Sequence, residues 1–381
     1  MNVLIAADSF KGSLTSLQVA EYVRRGIMKV YEDAAVQCVP IADGGEGTVE
    51  AVVYSVNGSY RQVSVHNPLG ERITARYGDI GKATAIIEMA ESTGLSLIPE
   101  EKRNPLKTTS YGLGEQIRDA LDQGFKRIVL GIGGSATNDG GAGMARALGA
   151  VFTDEQGNEL DGSGGSLGEV AKIDLSHFDS RVYHTEFIVA CDVTNPLCGE
   201  KGASAVYGPQ KGATSVMVNT LDNNLAHFAD VIEAQMGVSV RDIPGSGAAG
   251  GAGGGLIAFC RARIVKGIEY ILDLMDIDSR IREADVVITG EGRMDWQSAF
   301  GKVPVGIARR AGKYGKPVFA ICGSLGKGAE AVYEHGIAGA FSAIVAPVTL
   351  EQAIAESPVR IEEASERLFR TIRAAAAIGK T

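Results

Sequence analysis

Nowhere does the chain carry an apolar run near the roughly 20 residues that a membrane-crossing helix requires, so a spanning segment is excluded. The opening MNVLIAADSF has no basic region and meets Asp8 early, which reads as a first buried strand and not as a secretory leader. Cysteine is scarce and never spaced as CxxC. The five residues Cys38, Cys191, Cys198, Cys260 and Cys322 argue against a disulfide framework or a zinc site and fit a reducing cytoplasm. The five histidines, His66, His177, His184, His227 and His335, show no paired spacing, so zinc hydrolysis and the serine triad lack their players. Basic clusters are missing as well: 37 Lys and Arg against 46 Asp and Glu leave a net charge of -9, a surface that would repel a nucleic-acid backbone. The glycine-rich stretch Gly131-Ile132-Gly133-Gly134-Ser135-Ala136 matches neither GxxxxGK[ST] nor a GxGxxG followed at the right distance by a ribose-binding acid, which disfavours a nicotinamide dehydrogenase.

What the chain has in abundance is glycine, 50 residues of it, clustered between well-patterned segments as if in loops that hug a ligand. At 381 residues the chain is longer than one core usually serves, which predicts two domains. Asn2–Ala7 reads as a strand, Leu17–Val30 as a helix and Val36–Ile41 as a second strand, a parallel crossover that opens an α/β domain. The same grammar returns late, with strands at Asp285–Thr289, Pro317–Cys322 and Ala338–Val345, and helices at Pro304–Tyr314 and Pro358–Ala377. Between them, Tyr60–Val65, Arg72–Asp79 and Ala83–Met89 read as antiparallel strands joined by turns such as Asn67-Pro68-Leu69-Gly70. Helices around Gly114–Gln123 and Leu221–Met236 and strands at Arg127–Ile132 and Phe187–Asp192 follow. The expected fold is α/β: a discontinuous Rossmann-like or flavodoxin-like parallel-sheet domain of residues 1–60 plus 270–381, with residues 61–269 as an inserted α/β domain.

Five loops combine glycine with acids or amides directly after these strands. In Asp8-Ser9-Phe10-Lys11-Gly12-Ser13, Lys11 and two hydroxyls precede a helix whose N-terminus favours anions. In Asp43-Gly44-Gly45-Glu46-Gly47-Thr48, free backbone N–H groups suit a phosphate or carboxylate, while Asp43 and Glu46 suit Mg²⁺ or a proton. The run Gly133-Gly134-Ser135-Ala136-Thr137-Asn138-Asp139 leads into a helix near Ala142 and reads either as a phosphate nest or as a structural glycine turn. Cys191-Asp192-Val193-Thr194-Asn195-Pro196 puts an acid at a strand end; Asp192 is the first choice for a catalytic base, since phosphoryl transfer asks for a modest proton acceptor and good positioning. In Gly290-Glu291-Gly292-Arg293-Met294-Asp295, with Lys302 further on, Arg293 could fork onto a carboxylate or phosphate and Lys302 could reach a phosphate as a point charge. The glycines of residues 245–255 read as another cradle or as close packing.

Taken together, ADSFKGSLT, PIADGGEGT, NPLGE, GIGGSATNDGGAGM, ACDVTNPLCG, GPQKGA, LDNNL, PGSGAAGG and TGEGRMDWQS with GKVP, in that order and nearly end to end, resemble the type I glycerate kinases, which phosphorylate D-glycerate in sugar-acid breakdown. The resemblance implies a two-domain α/β kinase in which ATP and glycerate meet in a cleft, with phosphorylation at C2 rather than C3. The physical reading then assigns Lys11, Arg293, Asp8 and Asn195 to the substrate and Gly133, Gly134, Ser135, Asn138, Asp139, Glu291 and Lys302 to ATP. Asp43 and Glu46 would hold Mg²⁺, and Asp192 would be the base, with Asp43 as its runner-up and Lys11 as a catalytic cation. The expected partners are small molecules, with no nucleic acid and no membrane, in the cytoplasm; a homodimer is compatible with the sequence. The rival from another class is a non-catalytic sugar-acid or nucleotide binding protein, which an α/β architecture equally permits.

Overall fold

The computed structural model describes residues 1–42, 44–300, with Phe300 by its backbone alone, and 302–378. The expected α/β class is what the chain adopts, and it forms two compact units. The first comprises Met1–Asp43, Glu50–Val56 and Ile268–Thr381; the second comprises Gly44–Val49 and Asn57–Gly267.

The first unit is built on five strands in the spatial order Ala35–Cys38, Asn2–Ile5, Val286–Thr289, Val318–Cys322 and Ile337–Ser342, every neighbouring pair parallel. The central strand VVIT is buried at all four positions, as expected of a parallel sheet covered on both faces. Helix Ser16–Met28 starts at a capping box between Thr15 and Gln18 and turns Val19, Ala20, Val23 and Ile27 inward. It crosses helix Ser357–Ile378 closely. Numbered along the chain within this unit, the strand order is 2-1-3-4-5, the flavodoxin-like arrangement. Its direction of winding reverses between Asn2–Ile5 and Val286–Thr289, and the crevice beyond the carboxyl ends of those two strands is where such sheets take ligands.

The second unit holds a six-stranded mixed sheet in the order Arg263–Val265, Glu186–Ala190, Arg127–Gly131, Thr84–Glu88, Arg72–Asp79 and Ser59–His66. The first four strands run parallel, and the last two pair antiparallel, the hairpin turning at Asn67-Pro68-Leu69-Gly70. Phe152 anchors the core, edge-on to Phe228 and Phe259 with ring centroids 5.5 and 6.0 Å away. The register sets Glu88, Gly131 and Ala190 side by side at the carboxyl edge. The loops that follow these three residues therefore share one rim. Among the described residues, no helix is long and apolar enough to cross a membrane.

Candidate active site

The first unit has a cavity of about 640 Å³ at its switch point, lined by Asp8–Ser13, Glu291–Arg293, Lys302, Ser324, Ile344, Leu350, Ala353, Ile354 and Ser357. Two backbone hydrogen bonds build its floor: the Asp8 N–H donates to the Gly290 carbonyl at 2.9 Å, and the Ser324 N–H to the Gly292 carbonyl at 3.1 Å. Asp8 Oδ1 accepts from the Ser9 N–H at 2.7 Å, which locks the turn that presents Lys11. Glu291 is buried, and burial pushes its carboxyl up, with Ser298 and the Lys302 ammonium opposing the rise. Lys302 Nζ stands 3.3 Å from Glu291 Oε2, and Arg293 Nε 3.5 Å from Asp295. Thus Asp8 and Lys11, Glu291 and Arg293, and Lys302 at the N-cap of helix Val303–Gly312, drawn from segments far apart in the sequence, line one cavity.

The rim of the second unit gathers a different set. The glycines of the Gly44–Val49 loop lie directly on the strand ends: a Cβ on Gly44, which has φ +91°, would meet the Ala190 carbonyl at 2.6 Å. Glu46 is exposed at the top of this loop. Beneath it the buried Glu88 accepts from the Gly47 N–H at 3.0 and 3.1 Å and from the Val49 N–H at 3.3 Å, which fastens the loop to the sheet. Burial pushes the Glu88 carboxyl up to about 7; the two N–H groups oppose the rise, and the neighbouring Glu91 and Glu46 add to it. Asp43 lies outside the described residues.

Asp192 is exposed on the same rim, and its Oδ1 accepts from the Gly267 N–H at 2.9 Å. Asn195 is less available than its position suggests. Its Nδ2 donates to the Lys201 carbonyl at 2.7 Å and its Oδ1 accepts from the Tyr207 hydroxyl at 2.8 Å, so the side chain braces its own loop instead of facing a substrate.

The glycine run after Arg127–Gly131 turns most of its polar side chains inward. Gly133 and Gly134 reach the surface, but Ser135, Asn138 and Asp139 are buried. Asp139 accepts from the Ser110 N–H at 2.6 Å, the Ser110 hydroxyl at 2.7 Å, the Gly141 N–H at 3.2 Å and the Gly143 N–H at 3.3 Å. Burial pushes its carboxyl up and these donors oppose the rise. The Asn138 amide donates to Ser204 Oγ at 3.0 Å. These three side chains point into the loop's interior and hydrogen-bond there.

Lys211, a residue no sequence argument singled out beyond its place in GPQKGA, explains why Ser135 turns inward. It is 2% exposed, and its Nζ donates to Ser135 Oγ at 2.9 Å and to the Thr137 carbonyl at 2.6 Å. Burial pulls its pKa down to about 7, against the upward pull of the Asp139 carboxylate. A neutral amine retains two N–H donors, enough for both acceptors. Because the folded-state pKa lies below the unfolded one, the buried lysine destabilises fully below about pH 7, and this effect is relieved as pH rises toward the ordinary lysine range. The stability of the wild type minus that of Lys211→Met is therefore expected to grow from about pH 7 to about pH 9.5, by up to about 1.4 kcal/mol per pH unit. Urea denaturation at several pH values checks this; a pH-independent difference would mean the ammonium stays solvated.

The other residue sequence reasoning missed is Glu88. Its signal was faint: an acid closing the buried run Thr84–Glu88.

Comparison with known proteins adds a full-length likeness. Residues 3–373 match the model of the glycerate kinase family. A glycerate kinase of Halalkalibacterium halodurans is 49% identical over 367 residues, covering 96% of this chain and 97% of that protein. A glycerate 2-kinase of Escherichia coli K12 is 48% identical over 373 residues, 98% of each. A solved structure from Salmonella typhimurium LT2, provisionally named glycerate kinase 2, is 46% identical and matches with a TM-score of 0.85 over 99% of both chains.

Proposed function

The chain belongs to the glycerate kinase family, and from that premise we propose that it transfers the γ-phosphoryl group of ATP to D-glycerate, at the C2 hydroxyl, giving 2-phosphoglycerate. The observation that carries this reading is the likeness along 98% of the chain to the E. coli protein named a glycerate 2-kinase. Phosphoryl transfer needs positioning, neutralisation of charge and an acceptor for one proton, and the residues of the two units suit those needs. Asp192 is assigned the proton of the attacking hydroxyl; the Gly267 N–H fixes its Oδ1. Lys11 and Arg293 hold the glycerate carboxylate or the transferring phosphoryl group, Asp8 accepts a substrate hydroxyl, and Glu291 keeps Lys302 in place toward phosphate.

Among the described residues, no three or more His, Cys, Asp or Glu gather in a metal cage. That fits Mg²⁺ in a kinase, because the ion takes most of its ligands from phosphate oxygens and water and asks the protein for one or two carboxylates. Asp43 and Glu46 are assigned that part. The ion would neutralise charge on the triphosphate.

The test is to supply the full chain with ATP, Mg²⁺ and D-glycerate. Glycerate-dependent ADP release is expected, with a product whose phosphorus couples to the single C2 proton in ³¹P NMR. Coupling to the two C3 protons would reassign the acceptor oxygen; ADP release that does not depend on glycerate would sink the kinase reading.

A further inference from the structure

The cavity of the first unit is lined by two kinds of side chain. Part of its lining is charged, the cations Lys11, Arg293 and Lys302 with the acids Asp8 and Glu291, and part is apolar, Ile344, Leu350, Ala353 and Ile354. We propose that this cavity seats ATP itself, the adenine against Ile344, Leu350 and Ile354 and the phosphates toward Lys11, Arg293 and Lys302. The assignment rests on the kinase reading above and goes beyond it by naming which substrate this cavity takes and which wall reads the base.

Three observations carry it. The first is the apolar wall. In helix Leu350–Ala355, Leu350, Ala353 and Ile354 fall at spacings of three and four residues, on the face that lines the cavity, and Ser357 continues that face at the start of the next helix. Leu350 is 76% exposed and Ile354 38%, so large apolar side chains stand uncovered beside a polar cavity. An uncovered apolar surface rimmed by polar groups marks a binding site. A three-carbon acid carries no apolar face to cover it, whereas a purine does.

The second is size. A volume of about 640 Å³ lies within the range of pockets that enclose nucleotide-sized ligands, and glycerate would leave most of it to water. The third is topology. The cavity opens at the carboxyl ends of Asn2–Ile5 and Val286–Thr289, where the order of the parallel sheet reverses, and sheets of this type take nucleotides there. The wall is also tied to the turn that bears Lys11: Ser13 Oγ and Ser357 Oγ are 2.6 Å apart, and Ser357 Oγ lies 2.8 Å from both the Ala353 and the Ile354 carbonyl oxygens of the helix bearing Leu350.

The experiment uses the full chain and the variants Leu350→Gln and Ile354→Asn, singly and combined. Both positions are solvent-exposed, and the new side chains are neutral, so electrostatic repulsion of phosphate does not enter. A fluorescent, non-hydrolysable ATP analogue is titrated without glycerate, and KM for each substrate is then measured. The double variant is expected to bind the analogue about tenfold more weakly and to raise KM for ATP about tenfold, with KM for glycerate changed less than twofold. A raised KM for glycerate with unaltered analogue binding would give the cavity to the acceptor. No change in either constant, or no binding of the analogue to the wild type, would likewise overturn the assignment. If the wild type binds the analogue and the variants weaken it while glycerate stimulates no ADP release, the nucleotide site stands and the kinase reading falls.

Discussion

Replacing Asp192 by asparagine is expected to lower kcat for glycerate phosphorylation by about two to four orders of magnitude, the usual contribution of a positioned proton acceptor. The substitution is nearly isosteric, and its Oδ1 can still accept from the Gly267 N–H that Asp192 Oδ1 accepts from at 2.9 Å. The loop after Glu186–Ala190 should therefore keep its shape, and KM for ATP should change little. A loss confined to kcat and kcat/KM in equal measure is the signature of an interaction made in the transition state. A loop aspartate that merely caps backbone groups would behave otherwise, because the amide would replace it with little effect on turnover. Near-normal kcat in Asp192→Asn, together with an inactive Asp43→Asn, would move the base to Asp43.

Gly250→Ala is expected to lose more than about 4 kcal/mol of folding stability, beyond the range of ordinary substitutions. Gly250 has φ +68°, and a Cβ there would lie 1.9 Å from the Thr137 carbonyl oxygen and 2.7 Å from the Asn138 Cα. Both obstacles are backbone, in the segment that Lys211 and Asp139 hold from within, so neither can swing aside. The Gly140 N–H also donates to the Gly250 carbonyl at 3.0 Å, which ties the two segments face to face. Gly237→Ala is the control. It has nearly the same φ, +69°, but nothing within 4 Å of the added carbon, so it should lose only the left-handed conformational preference, about 1–2 kcal/mol. Chemical denaturation of both variants separates steric exclusion from backbone strain; equal losses would refute the packing argument. For residues 245–255, close packing therefore prevails over a ligand cradle at Gly250.

Much of the secondary structure was legible because local periodicity and burial agree. Arg72–Asp79 was expected as a strand over those very residues, and the closing helix, expected at Pro358–Ala377, runs Ser357–Ile378. Buried runs such as Val286–Thr289 announce a covered parallel sheet because both faces must be apolar. Short helices without a long apolar stripe escaped: Ala203–Tyr207 and Leu350–Ala355 are each too brief for a period of 3.6 to stand out. Leu350–Ala355 is the costlier omission, since it forms the apolar wall of the cavity.

For the loops, the sequence by itself determined which residue types stand after which strands, and so the chemistry on offer: Asp8 and Lys11 after the first strand, Asp192 after Glu186–Ala190, and Glu291 and Arg293 after Val286–Thr289. The run of motifs also determined the family, whose model matches residues 3–373. Which of those side chains look outward was decided by tertiary structure alone. Ser135, Asn138 and Asp139 have the composition of an anion nest, yet their side chains are buried and hydrogen-bond Lys211, Ser204 and Ser110, from segments 29 to 76 residues away. A polar atom removed from water must find a partner, and that partner is supplied by the folded chain, not by the local spacing of residues.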